Sequence, residues 1–303
     1  MMDGKVSNIQ QIASVRRYTL TGGIEDGLKV IDCDNGNIRF LLNESKALDI
    51  MQVYHQGTNI SFISKNGFVN REIPFLNRFE GGMLYTCGLD SIGAREGYEF
   101  HGSLHNKPAQ IVRTECNDKG IVVEAILRRT SLFGVNLLLK RKISTELGGD
   151  SITLEDTLIN AGYQDAPYCL LYHINIGYPM LDETTKWQVA LRDCRARTAW
   201  AKENEKSMFT MQSPTPMQEE TCYFLQLEKP NVIVWNEKLG KSFTLSYSGE
   251  TLPCFIEWKS VASGDYALGL EPCTTELDDG FAHKILKSDQ SKVFWVKLTI
   301  KNI

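Results

Sequence analysis

Lysine and arginine are nowhere gathered into blocks in this 303-residue chain. Its 33 basic side chains are scattered among 37 acidic ones, for a formal charge of −4. Without a basic patch, nothing tracks a phosphate backbone or an anionic lipid surface, so neither nucleic acid nor membrane is expected as a partner. No apolar run approaches the roughly 20 residues of a membrane-spanning helix. The opening MMDGKVSNIQQIASVRR lacks the apolar stretch of a signal peptide. Cysteines number 8 but stand singly, with no CxxC or other zinc-type spacing. A chain this long needs no disulfide staples, so they are expected to be reduced thiols in the cytoplasm. Proline is sparse, with 9 residues and no proline-rich linker, and no internal repeat occurs.

Hydrophobic residues make up 42% of the chain. A folded protein of this mass buries about three-quarters of the surface its extended chain exposes, so material for a large core is present. Most of that material alternates with the period of a strand. Residues 28–42 place Asn35-Gly36 between two apolar runs, and Asn-Gly supplies the positive φ angles of a tight hairpin turn. A second turn at 117–120 precedes Ile121-Val122-Val123-Glu124-Ala125-Ile126-Leu127. Leu137, Leu139 and Ile143 then alternate with polar neighbours before Gly148-Gly149-Asp150, and Ile152, Leu154 and Leu158 follow it. Further hairpin material lies at 232–235, 243–247 and 293–300. Helical signals are fewer. Asn43 or Ser45 could cap a short helix through Tyr54, with Ala47, Leu48, Met51 and Tyr54 on one side. Residues 186–206 are ambiguous. Short strands between turns predict a mainly β fold, a large antiparallel β-sandwich in one domain over 1–303, with residues 1–25 as a peripheral segment.

Only five histidines are present. His173 stands in Tyr168-Cys169-Leu170-Leu171-Tyr172-His173-Ile174-Asn175-Ile176-Gly177, one imidazole in an otherwise apolar strand. A lone core histidine is ordinarily satisfied by a backbone carbonyl. Glu271 ends the apolar run Ala267-Leu268-Gly269-Leu270-Glu271-Pro272, where a carboxylate is costly to bury unless paired, though a solvated strand end is the commoner case. Between 71 and 93, glycines, arginines and aromatics such as Phe75, Phe79 and Tyr85 suit a polyol pocket. Aromatic faces pack on sugar C–H groups and arginine donates planar hydrogen bonds. A glycine-rich connection between strands is the plainer alternative. No phosphate loop or dinucleotide fingerprint occurs.

Taken in order, Asn77-Arg78-Phe79-Glu80-Gly81-Gly82-Met83-Leu84-Tyr85-Thr86-Cys87-Gly88-Leu89-Asp90, His101-Gly102 with Asn106-Lys107-Pro108, Tyr172-His173-Ile174-Asn175-Ile176-Gly177, Glu257-Trp258-Lys259 and Gly269-Leu270-Glu271-Pro272 resemble the aldose 1-epimerase (galactose mutarotase-like) superfamily. The likeness is to a branch largely of unknown function. It implies a β-supersandwich whose concave face binds a sugar, and interconversion of sugar anomers by ring opening and closure. It further implies His173 as general acid and Glu271 as general base, with Arg78 and His101 on the sugar hydroxyls and ring oxygen. Trp258 would form a pocket wall and Asp90 a further polar contact. His105, and the residues after Glu271, depart from the superfamily pattern.

The implied chemistry needs one acid and one base but neither a redox cofactor nor a metal, so none is expected. A small-molecule sugar is the expected partner, and a homodimer is open. The charge of Glu271 would favour an imidazolium at His173 unless burial dominates. Three rival readings stand. Glu99 and His101 would share a strand face and, with His105, could hold a metal in a sugar isomerase or lyase. The same acid–base pair could epimerise or isomerise a modified sugar. The third rival is a catalytically silent carbohydrate-binding protein.

Overall fold

The computed structural model describes residues 4–303, so the first three residues of the peripheral segment lie outside the described residues. Two antiparallel sheets form it. The smaller contains, in spatial order, β1 (Ser14–Thr19), β2 (Lys29–Asp34), β3 (Ile38–Asn43), β4 (Asp49–His55) and β5 (Thr58–Asn59). The larger is built from β6 (Leu84–Leu89), β7 (Gln110–Asn117), β8 (Gly120–Thr130), β9 (Asn136–Glu146), β10 (Ser151–Asn160), β11 (Ala166–Ile176), β12 (Lys186–Ala196), β13 (Thr221–Asn236), β14 (Lys241–Tyr247), β15 (Cys254–Ala262), β16 (Asp265–Cys273), β17 (Lys284–Leu286) and β18 (Ser291–Asn302). Its order is β17-β11-β16-β15-β13-β14-β18-β10-β9-β8-β7, with β6 on β11 and β12 on β13.

The alternation at 137–158 becomes the pairing of β9 with β10. Leu137, Leu139, Ile143, Ile152, Leu154 and Leu158 all face a core they share with Ile38, Phe40, Leu42 and Val53 of the smaller sheet. Asn35-Gly36 does turn the chain between β2 and β3, and it also joins the sheets. The Asn35 amide donates to Thr145 Oγ1 at 2.6 Å and to the Glu146 and Gly149 carbonyls at 2.9 and 3.0 Å.

A helix over residues 45–54 is not what forms. Ala47 and Leu48 adopt φ of 52° and 54°, a left-handed turn that feeds β4, between β3 and β5. In β4 five of the seven side chains are buried, Gln52 and Tyr54 are half-buried, and the pairing with β3 slips at Met51. That slip sends Ile50 and Val53 into the main core and Met51 into a smaller cluster, which breaks the period-2 alternation and leaves apolar residues at helical spacings. Residues 186–206 resolve into β12 followed by a short helix, α1 (Ala199–Glu203). β1 is the outermost strand of the smaller sheet and mostly exposed.

Buried charges bind the two sheets from within. Arg141, on β9, gives its guanidinium to Asp156 at 2.7 and 2.9 Å and to Asp49, on β4, at 2.7 Å. Tyr172 also donates to Asp156, at 2.8 Å. His105 bridges Asp49 (2.7 Å) and Glu80 (3.1 Å), and Lys46 reaches Glu80 at 3.0 Å. Three acids and three bases thus neutralise one another when His105 is protonated. Burial opposes that charge, but the Glu80 and Asp49 carboxylates outweigh it and raise the imidazole above its ordinary range.

Candidate active site

β11 is buried along almost its whole length, so its two faces meet different surroundings. Tyr168, Leu170, Tyr172, Ile174 and Ile176 enter the main core, whereas Cys169 and Leu171 join a smaller cluster on the opposite side. His173 falls on that second face by strand alternation. Cross-strand register then does the assembling. Ile174 pairs with Leu270 and Leu171 with Cys273, which sets His173 opposite Glu271. On the next strand, Trp258 pairs with Gly269.

The contact between His173 Nε2 and Glu271 Oε1 is 3.2 Å, with both side chains almost wholly buried. Around the imidazole, the Trp258, Phe79 and His101 rings stand 5.6, 5.7 and 5.7 Å away. A Cβ on Gly269 would lie 2.8 Å from Glu271 Oε1, 2.9 Å from His173 Cε1 and 3.1 Å from the Trp258 ring. The bare backbone at Gly269 is therefore what gives the pair its room. These groups line a cleft of about 250 Å³ with Phe75, Leu76, Phe100, Arg197, Glu220 and Cys222. The His101 backbone has φ of 63°, held by exchange with Gly93 and Gly88, and its Nδ1 accepts the Gly93 N–H at 3.3 Å. That leaves Nε2 of His101 as a hydrogen-bond donor.

Residues 25–294 match the family model described as a domain of unknown function, DUF4432. The chain belongs to this family. Its fold is that of the galactose mutarotase-like proteins. A candidate aldose 1-epimerase of Klebsiella pneumoniae superposes with a TM-score of 0.85 at 21% identity, over 95% of this chain and 83% of the other. A galactose mutarotase-like protein of Clostridium acetobutylicum gives 0.72 at 13% identity, over 97% and 100%. A candidate aldose 1-epimerase of Escherichia coli K12 gives 0.62 at 12% identity, over 96% and 100%. No curated protein matches the sequence.

Within this DUF4432 chain, His173, Glu271, His101 and Trp258 converge on the cleft, whereas Arg78 and Asp90 do not line it. Arg78 is buried at the end of a helical turn (Phe75–Arg78) and paired with Glu99, and among the described residues its Nε has no hydrogen-bond partner. Asp90 accepts from the Ser91 N–H (3.0 Å), the Ser103 N–H (2.9 Å) and the Ser103 hydroxyl (2.7 Å), which makes it a clasp for the loop that carries His101. Glu99, His101 and His105 do not assemble as a metal set. Residues 90–103 form a loop rather than a strand, Glu99 goes to Arg78 and Asn106, and His105 is committed to the buried network. Among the described residues, no group of three or more His, Cys, Asp or Glu is placed to hold a metal ion.

Burial also reverses the expected charge at His173. Desolvation lowers the imidazole to about 4, against a smaller upward pull from Asn175. Glu271 is raised well above the carboxylate range by burial and then by the Glu220 charge, with Arg197 opposing. Both members of the pair are driven to their uncharged forms, so together they hold one proton. Glu220 and Arg197 escaped the sequence reading because nothing local marks them. One is an exposed glutamate among others, and the other lies in the stretch where strand and helix patterns were indistinguishable.

Proposed function

We propose that the protein is an aldose 1-epimerase, interconverting the anomers of a free sugar bound in the cleft. The observation that carries this reading is the buried His173–Glu271 pair, in contact at 3.2 Å. Ring opening removes the proton from O1 and delivers one to the ring oxygen O5. Rotation about C1–C2 and reclosure with the transfers reversed yield the other anomer. One acid and one base are required, and the pair supplies one of each in either arrangement of its proton. With the proton on His173, Glu271 is the base and His173 the acid. With it on Glu271, as burial favours at rest, the roles exchange. The cycle returns the proton it borrows.

Each positioned proton-transfer group contributes about 10²–10⁴-fold to rate. Trp258 and Phe79 offer aromatic faces to the sugar C–H groups, and His101 offers a donor. The test is NMR exchange between anomers for a panel of neutral, acidic and phosphorylated aldoses. Wild type should accelerate exchange for at least one sugar, with His173→Ala and Glu271→Gln each slowing it at least 100-fold while binding persists. Binding without acceleration by wild type would make this a sugar-binding protein and end the epimerase reading.

A further inference from the structure

The arginines around the cleft are engaged: Arg95, next to the lining residue Ala94, stacks over the Phe281 ring at 3.7 Å. Arg197 gives Nε and Nη2 to both oxygens of Asp278, at 2.7 and 3.0 Å. Arg78 is paired with Glu99. Arg195, farther out, is paired with Glu276 at 2.6 Å. Each of these last three guanidinium groups already faces a carboxylate. Glu220 is the exception: it lines the cleft, and among the described residues no cation lies within 4.0 Å of it. Its Oε2 accepts the Trp258 indole N–H at 2.6 Å, which leaves Oε1 for another donor. Glu220 is also the charge that most raises Glu271 after burial itself, so it stands close to the proton-transfer pair.

We infer that Glu220 is a specificity residue, accepting a hydroxyl of an uncharged aldose and repelling aldoses that carry phosphate, sulfonate or carboxylate. The inference rests on the epimerase reading and adds to it the class of sugar taken. A sugar set against His173 and Glu271 fills the space beside the Glu220 carboxylate. A substrate anion there meets a like charge with no cation in contact, and Arg197, the one arginine lining the cleft, feels Glu220 only from beyond ion-pair distance while both its bonding nitrogens go to Asp278. At roughly 6 Å, with an effective dielectric between 20 and 80, two unit charges alter affinity about 3- to 100-fold. The repulsion is partly solvent-exposed and is therefore screened by salt.

The experiment measures kcat/KM for anomer exchange of glucose and galactose against their 6-phosphates and uronic acids, with wild type and Glu220→Gln. Glutamine keeps an acceptor for Trp258 and removes only the charge. Wild type should prefer the neutral sugar by about tenfold or more. Glu220→Gln should shrink that ratio by a similar factor, and 1 M salt should shrink it in wild type but not in the variant. A ratio is insensitive to the fraction of correctly folded variant. Equal or better use of the anionic sugars by wild type, or an unchanged ratio in Glu220→Gln, overturns the assignment and leaves the epimerase reading standing. If no aldose is exchanged, the epimerase reading falls, and the role of Glu220 falls with it.

Discussion

Alanine at position 269 would test the site's construction more sharply than loss of either reacting group. The added Cβ would sit 2.8 Å from Glu271 Oε1, 2.9 Å from His173 Cε1 and 3.1 Å from Trp258, where ordinary contact begins at 3.4 Å. Three groups must therefore withdraw by roughly half an ångström each. Glu271 and His173 are both buried and touch each other at 3.2 Å, so neither moves without disturbing the other. Overpacking of this kind costs about 1–3 kcal/mol. Against that, alanine restricts the unfolded chain and recovers about 0.4–1 kcal/mol. Net destabilisation of at most about 2.6 kcal/mol follows, small enough for the protein to remain folded. Activity should suffer more, because displacing reacting groups by about 1 Å can cost on the order of 100-fold in rate. Urea denaturation and NMR anomer exchange on the same preparation separate the two effects. An alanine variant exchanging anomers at the wild-type rate would refute the claim that a bare backbone at 269 makes room for the pair.

Other expectations concern charge and thiols. Arg141→Met strands Asp156 without its cation, leaves Asp49 with His105 alone, and should lower stability by about 3–5 kcal/mol in urea; a loss under 1 kcal/mol would show the network to be dispensable. The His173 imidazole, lowered from 6.5 to about 4, is neutral in the fold while the unfolded chain takes up a proton. Its contribution is therefore present above pH 6.5 and lost as pH falls towards 4, on the order of 3 kcal/mol in all. The stability difference between wild type and His173→Gln should accordingly shift with pH across that window, and a pH-independent difference contradicts the assignment. All eight cysteines are free, and Cys33, Cys87, Cys169, Cys222 and Cys273 are buried. Burial raises Cys33 and Cys222 and suppresses the reactive thiolate. A thiol reagent should modify at most Cys116, Cys194, Cys254 and, through the cleft it lines, Cys222 in the native protein and all eight in urea; rapid native labelling of Cys33 would be incompatible with this packing.

The features legible along the chain are local ones. Alternation at 137–158 and 293–300 is a property of adjacent residues, and it specified strands because successive side chains on a strand face opposite ways. Asn35-Gly36 specified a turn for an equally local reason. His173 and Glu271 stood out because an ionisable group inside an apolar strand is costly wherever the strand goes. The helix expected at 45–54 failed where a slip in the β3–β4 pairing at Met51 broke the alternation on which the expectation relied.

Which of the conspicuous residues meet depends on how distant strands pack. Register between β11 and β16, nearly 100 positions apart, set His173 against Glu271, and the next strand added Trp258 beside Gly269. The same packing withdrew Asp90 and His105 into supporting hydrogen bonds and brought in Arg197 and Glu220, which have no distinctive neighbours in sequence. Charge state belongs to this level as well. Composition leaves a histidine near 6.5 and a glutamate near 4.3, whereas burial drives the two past each other until they hold a single proton between them. Hydrophobic period is written along the chain, but desolvation and cross-strand contact exist only once distant segments have closed around the same few ångströms.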